Sequence, residues 1–290
     1  MKRIFLEDEI SANVKITGRD AHHLAYSLRA KKGDRIIAVD MKGNTAVIEL
    51  TDFDEETITA KCVGEITKVN AVETIKIIRT IGKKSGKIET HRRIREELFK
   101  KHITLADCLP KQNRFDGIVE KATELGADKF VPLISDRTIA RPGNFRAKTK
   151  LERWARIAKE TAEQCARDTL PEFGQIRELS DWLKEIAPTL GRFVNDEESK
   201  RKIFDGKGAL LLFCYEKEQE TYLPEILHEY KMCDCDKNII ILIGPEGGFS
   251  DREVREIKSC GGVSVSLGKR IFKTDTAALA TLAAVQYEMS

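Results

Sequence analysis

Apolar runs are short throughout this 290-residue chain. None approaches the roughly 20 residues needed to cross a bilayer. The N-terminus, MKRIFLEDEI, has no signal-peptide core, so a cytosolic protein without membrane contact is expected. Cysteine is scarce and odd in number, seven in all, which argues against a disulfide framework. Only Cys233 and Cys235 lie close together. With no second pair or His cluster nearby they read as free thiols, and no metal is expected. Charge of neither sign prevails: 50 Lys+Arg stand against 47 Asp+Glu, a net +3 too mild to identify a polyanion binder from the sum. No G-x-G-x-x-G is present. Gly82-Lys-Lys-Ser-Gly86-Lys87 has one residue too few between its glycines for a Walker loop, and no Ser or Thr follows Lys87. A Rossmann dehydrogenase and a P-loop nucleotidase are both excluded on spacing. No internal repeat is found.

What the chain does have is an informative C-terminal stretch, NIIILIGPEGGFSDREV at 238–254. Ile239 to Ile243 form an apolar run without polar alternation, the pattern of a strand covered on both faces. It stops at Gly244-Pro245-Glu246-Gly247-Gly248, where glycines allow unusual backbone angles and close approach of a ligand. Ser250 and Glu253 have the spacing of a capping box. A second strand, Val263–Leu267, ends at Gly268, and a helix begins near Thr274-Asp275-Thr276. Two strand ends thus deliver glycine loops and helix starts to one place, where ligands of open α/β sheets sit.

Upstream, Arg3–Leu6, Asn13–Thr17, Arg35–Asp40, Thr45–Leu50 and Thr57–Ile66 read as short strands, with a helix over Asp20–Leu28; such spacing suggests a small barrel. Beyond residue 103 helices alternate with buried strands. Phe115, Ile118, Val119, Ala122 and Leu125 fall at helical spacing before Gly126, and Lys129–Ile134 follows as a strand. Leu151 to Cys165 marks a longer amphipathic helix, Ser180 caps a short one, Ala209–Phe213 is a strand and Leu223–Tyr230 a helix. This is the signature of an α/β domain with a mostly parallel sheet. Between the two parts, residues 76–101 carry ten Lys/Arg against three Glu, a candidate RNA grip or a solvated insertion.

LIGPEGGFSDREV followed by SLGKRIFKTDTA resembles the RsmE-type small-subunit ribosomal RNA uridine-N3 methyltransferases of the SPOUT superfamily. HHLAYSLRAKKGD at 22–34, EKATELGADKFVPLISDRT at 120–138 and ETAEQCARDTLPE at 160–172 keep the family's order. The resemblance implies a PUA-like β-barrel RNA-binding domain over 1–72. It implies a SPOUT domain with a trefoil knot over 73–290, of which 73–103 is a basic linker. It further implies S-adenosylmethionine as cofactor, small-subunit ribosomal RNA as partner and a homodimer through the C-terminal domain. The family's cofactor pocket maps onto the strand end Leu242, Ile243 and Gly244, the Glu246-Gly247 turn, and the loop from Leu267 and Gly268 to Ile271 and Phe272.

Methylation at N3 requires uracil to lose its imide proton while charge spreads onto the flanking carbonyl oxygens. Lys273 and Arg270 are the candidate cations and Asp275 the candidate proton acceptor, with N-capping of the last helix as the alternative for Asp275. The family usually reads Arg, Glu and Leu where this chain has Lys273, Asp275 and Phe272. Lys keeps the charge and loses the bidentate fork, and Asp is one methylene shorter. Arg29, Lys31 and Lys32 in the N-terminal part, with Arg137, Gln164 and Arg167, are the candidate RNA contacts. Two other functions fit the same motifs: a ribose 2′-O-methyltransferase of the superfamily, and a non-catalytic RNA-binding assembly factor.

Overall fold

The computed structural model describes residues 2–54, 57–68, 101–195, 202–233 and 237–289. Apart from Lys101, the basic segment 76–101 lies outside the described residues. The chain divides into two compact units, one of residues up to Thr90 with Lys159–Leu170, the other of His91–Ala158 with Pro171–Ser290.

In the first unit β1 (Arg3–Leu6), β2 (Asn13–Thr17), β3 (Arg35–Asp40), β4 (Asn44–Phe53), β5 (Thr57–Cys62) and β6 (Thr67–Lys68) form one sheet. Their order is β1-β3-β4-β5-β2, with β6 on β4, and β1 and β2 stand at its two ends, which makes it a half-barrel. A register shift between Leu50 and Asp52 bends the long β4, as a bulge does. Strand alternation sends Val14 and Ile16 inward, where they join Ile4, Ile36 and Ile48 in one core with Leu24. Leu24 comes from the segment after β2, where α1 (Gly18–His22) continues as a π turn over His23–Ser27.

Residues 159–170 pack into this unit. Lys159 Nζ donates to both oxygens of Asp20 at 2.7 Å, and Ala162 is buried with Phe5 and Val39. The Phe5 N–H donates to Glu163 Oε1 at 2.9 Å, and His23 Nε2 stands 3.5 Å from the other carboxyl oxygen. Burial pushes the Glu163 carboxyl up from 4.5 to about 7, against the opposing pull of the Phe5 N–H. Between those values the folded chain holds a proton that the unfolded chain has lost, so stability falls as pH rises through the window, by at most about 3 kcal/mol. Glu163→Gln is expected to flatten the decline of Tm from pH 5 to 7, measured as thermal melts against pH.

The second unit is a three-layer α/β structure. Its strands are β7 (Lys101–Cys108), β8 (Lys129–Ile134), β9 (Glu172–Phe173), β10 (Arg177–Glu178), β11 (Phe193–Asn195), β12 (Lys202–Phe204), β13 (Leu210–Cys214), β14 (Lys237–Ile243) and β15 (Val263–Val265). The main sheet runs β10-β8-β7-β14-β13-β15 with β9 on β8, every pairing parallel, while β11 and β12 form a separate antiparallel pair. The helices are α2 (Arg114–Glu124), α3 (Asn144–Gln164, of which the part from Lys159 on belongs to the first unit), α4 (Leu179–Ile186), α5 (Leu223–Met232), α6 (Asp251–Ser259) and α7 (Thr274–Glu288).

Both faces of the sheet are covered, which is why its strands read as unbroken apolar runs. Ile103, Leu105, Ile239, Ile241, Leu210 and Leu212 face α2, α5 and α7. Ala106, Cys108, Leu211, Phe213 and Leu242 face α4 and α6. Ser180 does not cap α4: the N-cap position is Glu178, with no side-chain cap bond, and Ser180 lies inside the helix. Among the described residues no helix is long and apolar enough to cross a membrane.

Candidate active site

Parallel strands release the chain at one edge, so the loops after β13, β14 and β15 meet there. Together with the first turn of α7 they enclose a cavity of about 940 Å³, within the size range of cofactor sites. Two of its glycines are demanded by geometry. Gly248 has φ +67, and a Cβ on it would lie 2.8 Å from Glu216 Oε1. Gly268 has φ +105, but a Cβ there would meet nothing within 4 Å, because the space beside it is open.

The glycine loop is held from below by α6. Ser250 and Glu253 form the expected capping box, with Ser250 N–H donating to Glu253 Oε2 at 2.8 Å and Glu253 N–H to Ser250 Oγ at 3.2 Å. The buried Glu253 carboxylate also accepts the Asp136 N–H at 2.8 Å, and Asp136 accepts from Ser250 Oγ and Arg252, both at 2.6 Å. Arg137 donates to the Gly247 carbonyl at 2.7 Å. Glu253→Ala therefore strips acceptors from two N–H groups and is expected to destabilise the chain by about 2–3 kcal/mol, read as a fall in Tm of several degrees.

The cavity carries charges of both signs. Glu246 accepts the Lys111 N–H at 3.0 Å and stands 3.8 Å from Arg114, so it ties the glycine loop to the segment between β7 and α2. Glu218 takes the Ser264 hydroxyl and the N–H groups of Glu220 and Thr221. Burial pushes its carboxyl up, and those bonds outweigh burial to hold it below the usual range. The positive charges of the lining are Arg114, Lys269, Arg270 and Lys273. Lys273 occupies the N-cap position of α7, and no side chain caps that helix.

Every residue expected at the cofactor site lines this cavity except Leu242, and so do Arg270 and Lys273. Leu242 is corrected: strand alternation turns its side chain to the opposite face, into the core with Phe213, Phe249 and Val254. Asp275 is not among the lining residues. Nor does it cap α7; its carboxylate accepts the adjacent Thr276 N–H at 2.9 Å. Arg137, expected to meet RNA, spends one guanidinium N–H on the glycine loop. Arg29, Lys31 and Lys32 are exposed in the half-barrel unit, ahead of β3. There the Arg29 carbonyl accepts from Lys2, and Lys32 pairs with Asp52 at 3.6 Å. Gln164 is exposed at the end of α3, and the Arg167 carbonyl accepts from Arg3, both in that same unit.

Sequence reasoning missed Arg114, Tyr215, Glu216 and Ser266 on the cavity wall. For Tyr215, Glu216 and Ser266 the available signal was polar residues placed directly after an apolar parallel strand. It also missed Asp107, near the end of β7, which is fully buried with neither carboxyl oxygen hydrogen-bonded among the described residues. No group of three or more His, Cys, Asp or Glu is placed to hold a metal among the described residues.

Residues 97–286 match the RNA methyltransferase domain family, and residues 16–63 match the RNA methyltransferase PUA domain. The ribosomal RNA small subunit methyltransferase E of Bacillus subtilis (strain 168) is 28% identical over 99% of this chain and 97% of its own. The protein of the same name from Synechocystis sp. is 31% identical over 96% of this chain and 74% of its own. Among solved structures, a ribosomal RNA small subunit methyltransferase E from Neisseria gonorrhoeae bound to S-adenosyl methionine superposes with a TM-score of 0.71. It is 24% identical and covers 99% of this chain and 97% of its own, so it speaks for the fold. A family match over most of the chain and a relative above 30% identity place this chain in the ribosomal RNA small subunit methyltransferase E family, an RNA methyltransferase domain joined to a PUA domain.

Proposed function

We propose that this chain transfers a methyl group from S-adenosylmethionine to N3 of a uridine in small-subunit ribosomal RNA. The observation that carries the reading is the cavity at the carboxyl edge of the sheet, walled by the Gly244–Gly248 loop and left open beside Gly268. Its residues suit the cofactor. Ile243, Leu267 and Phe272 give apolar surface to a flat heterocycle, and the absence of a side chain at Gly268 leaves room against the backbone. When bound there, the cofactor supplies a methyl group activated by a sulfonium.

The chain's own groups supply the rest. Arg270 and Lys273 stabilise the negative charge that spreads over the uracil oxygens, and the uncapped N-terminus of α7 adds its positive end. Asp275, in the first turn of α7 next to Thr274 of the cavity wall, takes the N3 proton. Arg29, Lys31 and Lys32 meet RNA phosphates, together with Gln164 and Arg167. The same reading includes a trefoil knot in the C-terminal unit, a cytosolic location and a homodimer. Support for the dimer comes from an apolar recess of about 420 Å³ beside α7, lined by Leu223, Pro224, Ala280 and Ala284.

Calorimetry of the full chain with S-adenosylmethionine, followed by nucleoside analysis of treated small-subunit RNA, tests the reading. Binding and N3-methyluridine are the expected results. A 2′-O-methylated nucleoside would replace the reaction, and no binding would leave an RNA-binding assembly factor.

A further inference from the structure

Asp107 is a carboxyl without a partner. It shares a sheet face with Ile103 and Leu105 by strand alternation, the face packed by α2, α5 and α7. Its neighbour in register is Ile243, the last residue of β14 before the glycine loop and a wall of the cavity. It is fully buried, and neither oxygen is hydrogen-bonded among the described residues. The titratable groups facing it are Glu246 from the loop after β14 and Asp275 from α7, while Cys108, next on its own strand, points to the opposite face. Arg114 stands 3.8 Å from Glu246 of that cluster.

Burial first, then the charges of Glu246 and Asp275, push the Asp107 carboxyl well above the usual carboxylate range. Such a group contributes nothing to the core, since an ionised carboxylate buried without a partner is strongly unfavourable and an apolar residue packs better. Its position fits a site that receives positive charge from outside the protein.

We propose that Asp107 is the countercharge of the methyl donor: it releases its proton when a sulfonium enters the adjoining cavity and regains one when the sulfonium becomes a thioether. The inference rests on the function proposed above. The reaction balances. The N3 electron pair forms the new N–CH₃ bond, the S–CH₃ bond breaks and leaves its pair on sulfur, and the imide proton departs. That proton passes to Asp275, as proposed above; with the cation gone, Asp107 again favours its protonated form and takes up a proton from solvent in turn. It acts through the local field and is a positioning residue, since it does not line the cavity.

The test compares two ligands that differ only in the methyl group and its charge. The full chain is titrated calorimetrically with S-adenosylmethionine and with S-adenosylhomocysteine, in phosphate and in Tris, between about pH 6 and 9. A cation beside an acid lowers its pKa, so binding of the sulfonium should release up to about one proton and tighten up to about tenfold per pH unit inside the window. The thioether should bind with no proton release of this origin and no such slope. The sulfonium lowers the pKa of the donor's own amino group, so each ligand is titrated alone and that contribution is subtracted before the two are compared. Asp107→Asn should bind both ligands and lose the difference between them. Sulfonium binding without proton release in the wild-type chain, or release that persists in Asp107→Asn, overturns the inference alone. If neither ligand binds, the proposed function falls and the inference with it. The wild-type comparison decides the matter even if the variant fails to fold.

Discussion

Gly268→Val is expected to bind S-adenosylmethionine at least about a hundredfold more weakly while the chain stays folded. Two effects act at this position and can be separated. The backbone angle of +105 disfavours any side chain, with a strain of about 1–3 kcal/mol that lowers stability. The open space beside Gly268 means the added methyl groups strike no protein atom within 4 Å of the Cβ; they enter the cavity instead. Gly268→Ala carries the same backbone strain with a smaller obstruction. Affinity should therefore fall from glycine to alanine to valine, while Tm falls by a similar few degrees in both variants. Unchanged affinity in the valine variant would show that the cofactor lies elsewhere.

Lys273→Ala should lower kcat by about a hundredfold and leave cofactor affinity within about threefold. The ammonium stands at the start of a helix that no side chain caps, so cation and backbone N–H groups offer positive charge at one point. That charge has little to stabilise in the ground state, since neutral uracil carries none. It matters when the imide proton leaves. Lys273→Arg, which keeps the charge, should restore most of the rate. A loss of affinity with unchanged kcat would place Lys273 at the cofactor instead.

Much of this architecture was legible because local signals agreed. Arg3–Leu6, Asn13–Thr17, Arg35–Asp40 and Lys129–Ile134 are strands with the expected bounds, and the Ser250–Glu253 capping box forms as its spacing demands. The glycine loops could be read because they interrupt strong apolar runs. The failures share a different cause. A strand buried on both faces has no polar alternation, so nothing in Ile239–Ile243 tells which residues face α7 and which face α6; hence Leu242 was set in the cavity and lies in the core. Strand neighbours are a long-range property. That Tyr215 and Glu216 reach the cavity, or that Asp107 lies beside Ile243, depends on β14 pairing with both β7 and β13. Asp275 resembles a cap because it sits between threonines, but the helix begins at Thr274, two residues earlier than that reading needs.

The placement of β14 also bears on how the chain is made. β7, at residues 101–108, and β13, at 210–214, emerge from the ribosome before the strand that joins them, at 237–243. At roughly 5–20 residues per second, the inner edge of β7 waits on the order of ten seconds for its partner. During synthesis that strand edge stays open to wrong pairings. The two sides of the sheet are joined only when β14 slots between β7 and β13, and β15 adds to the far edge after that.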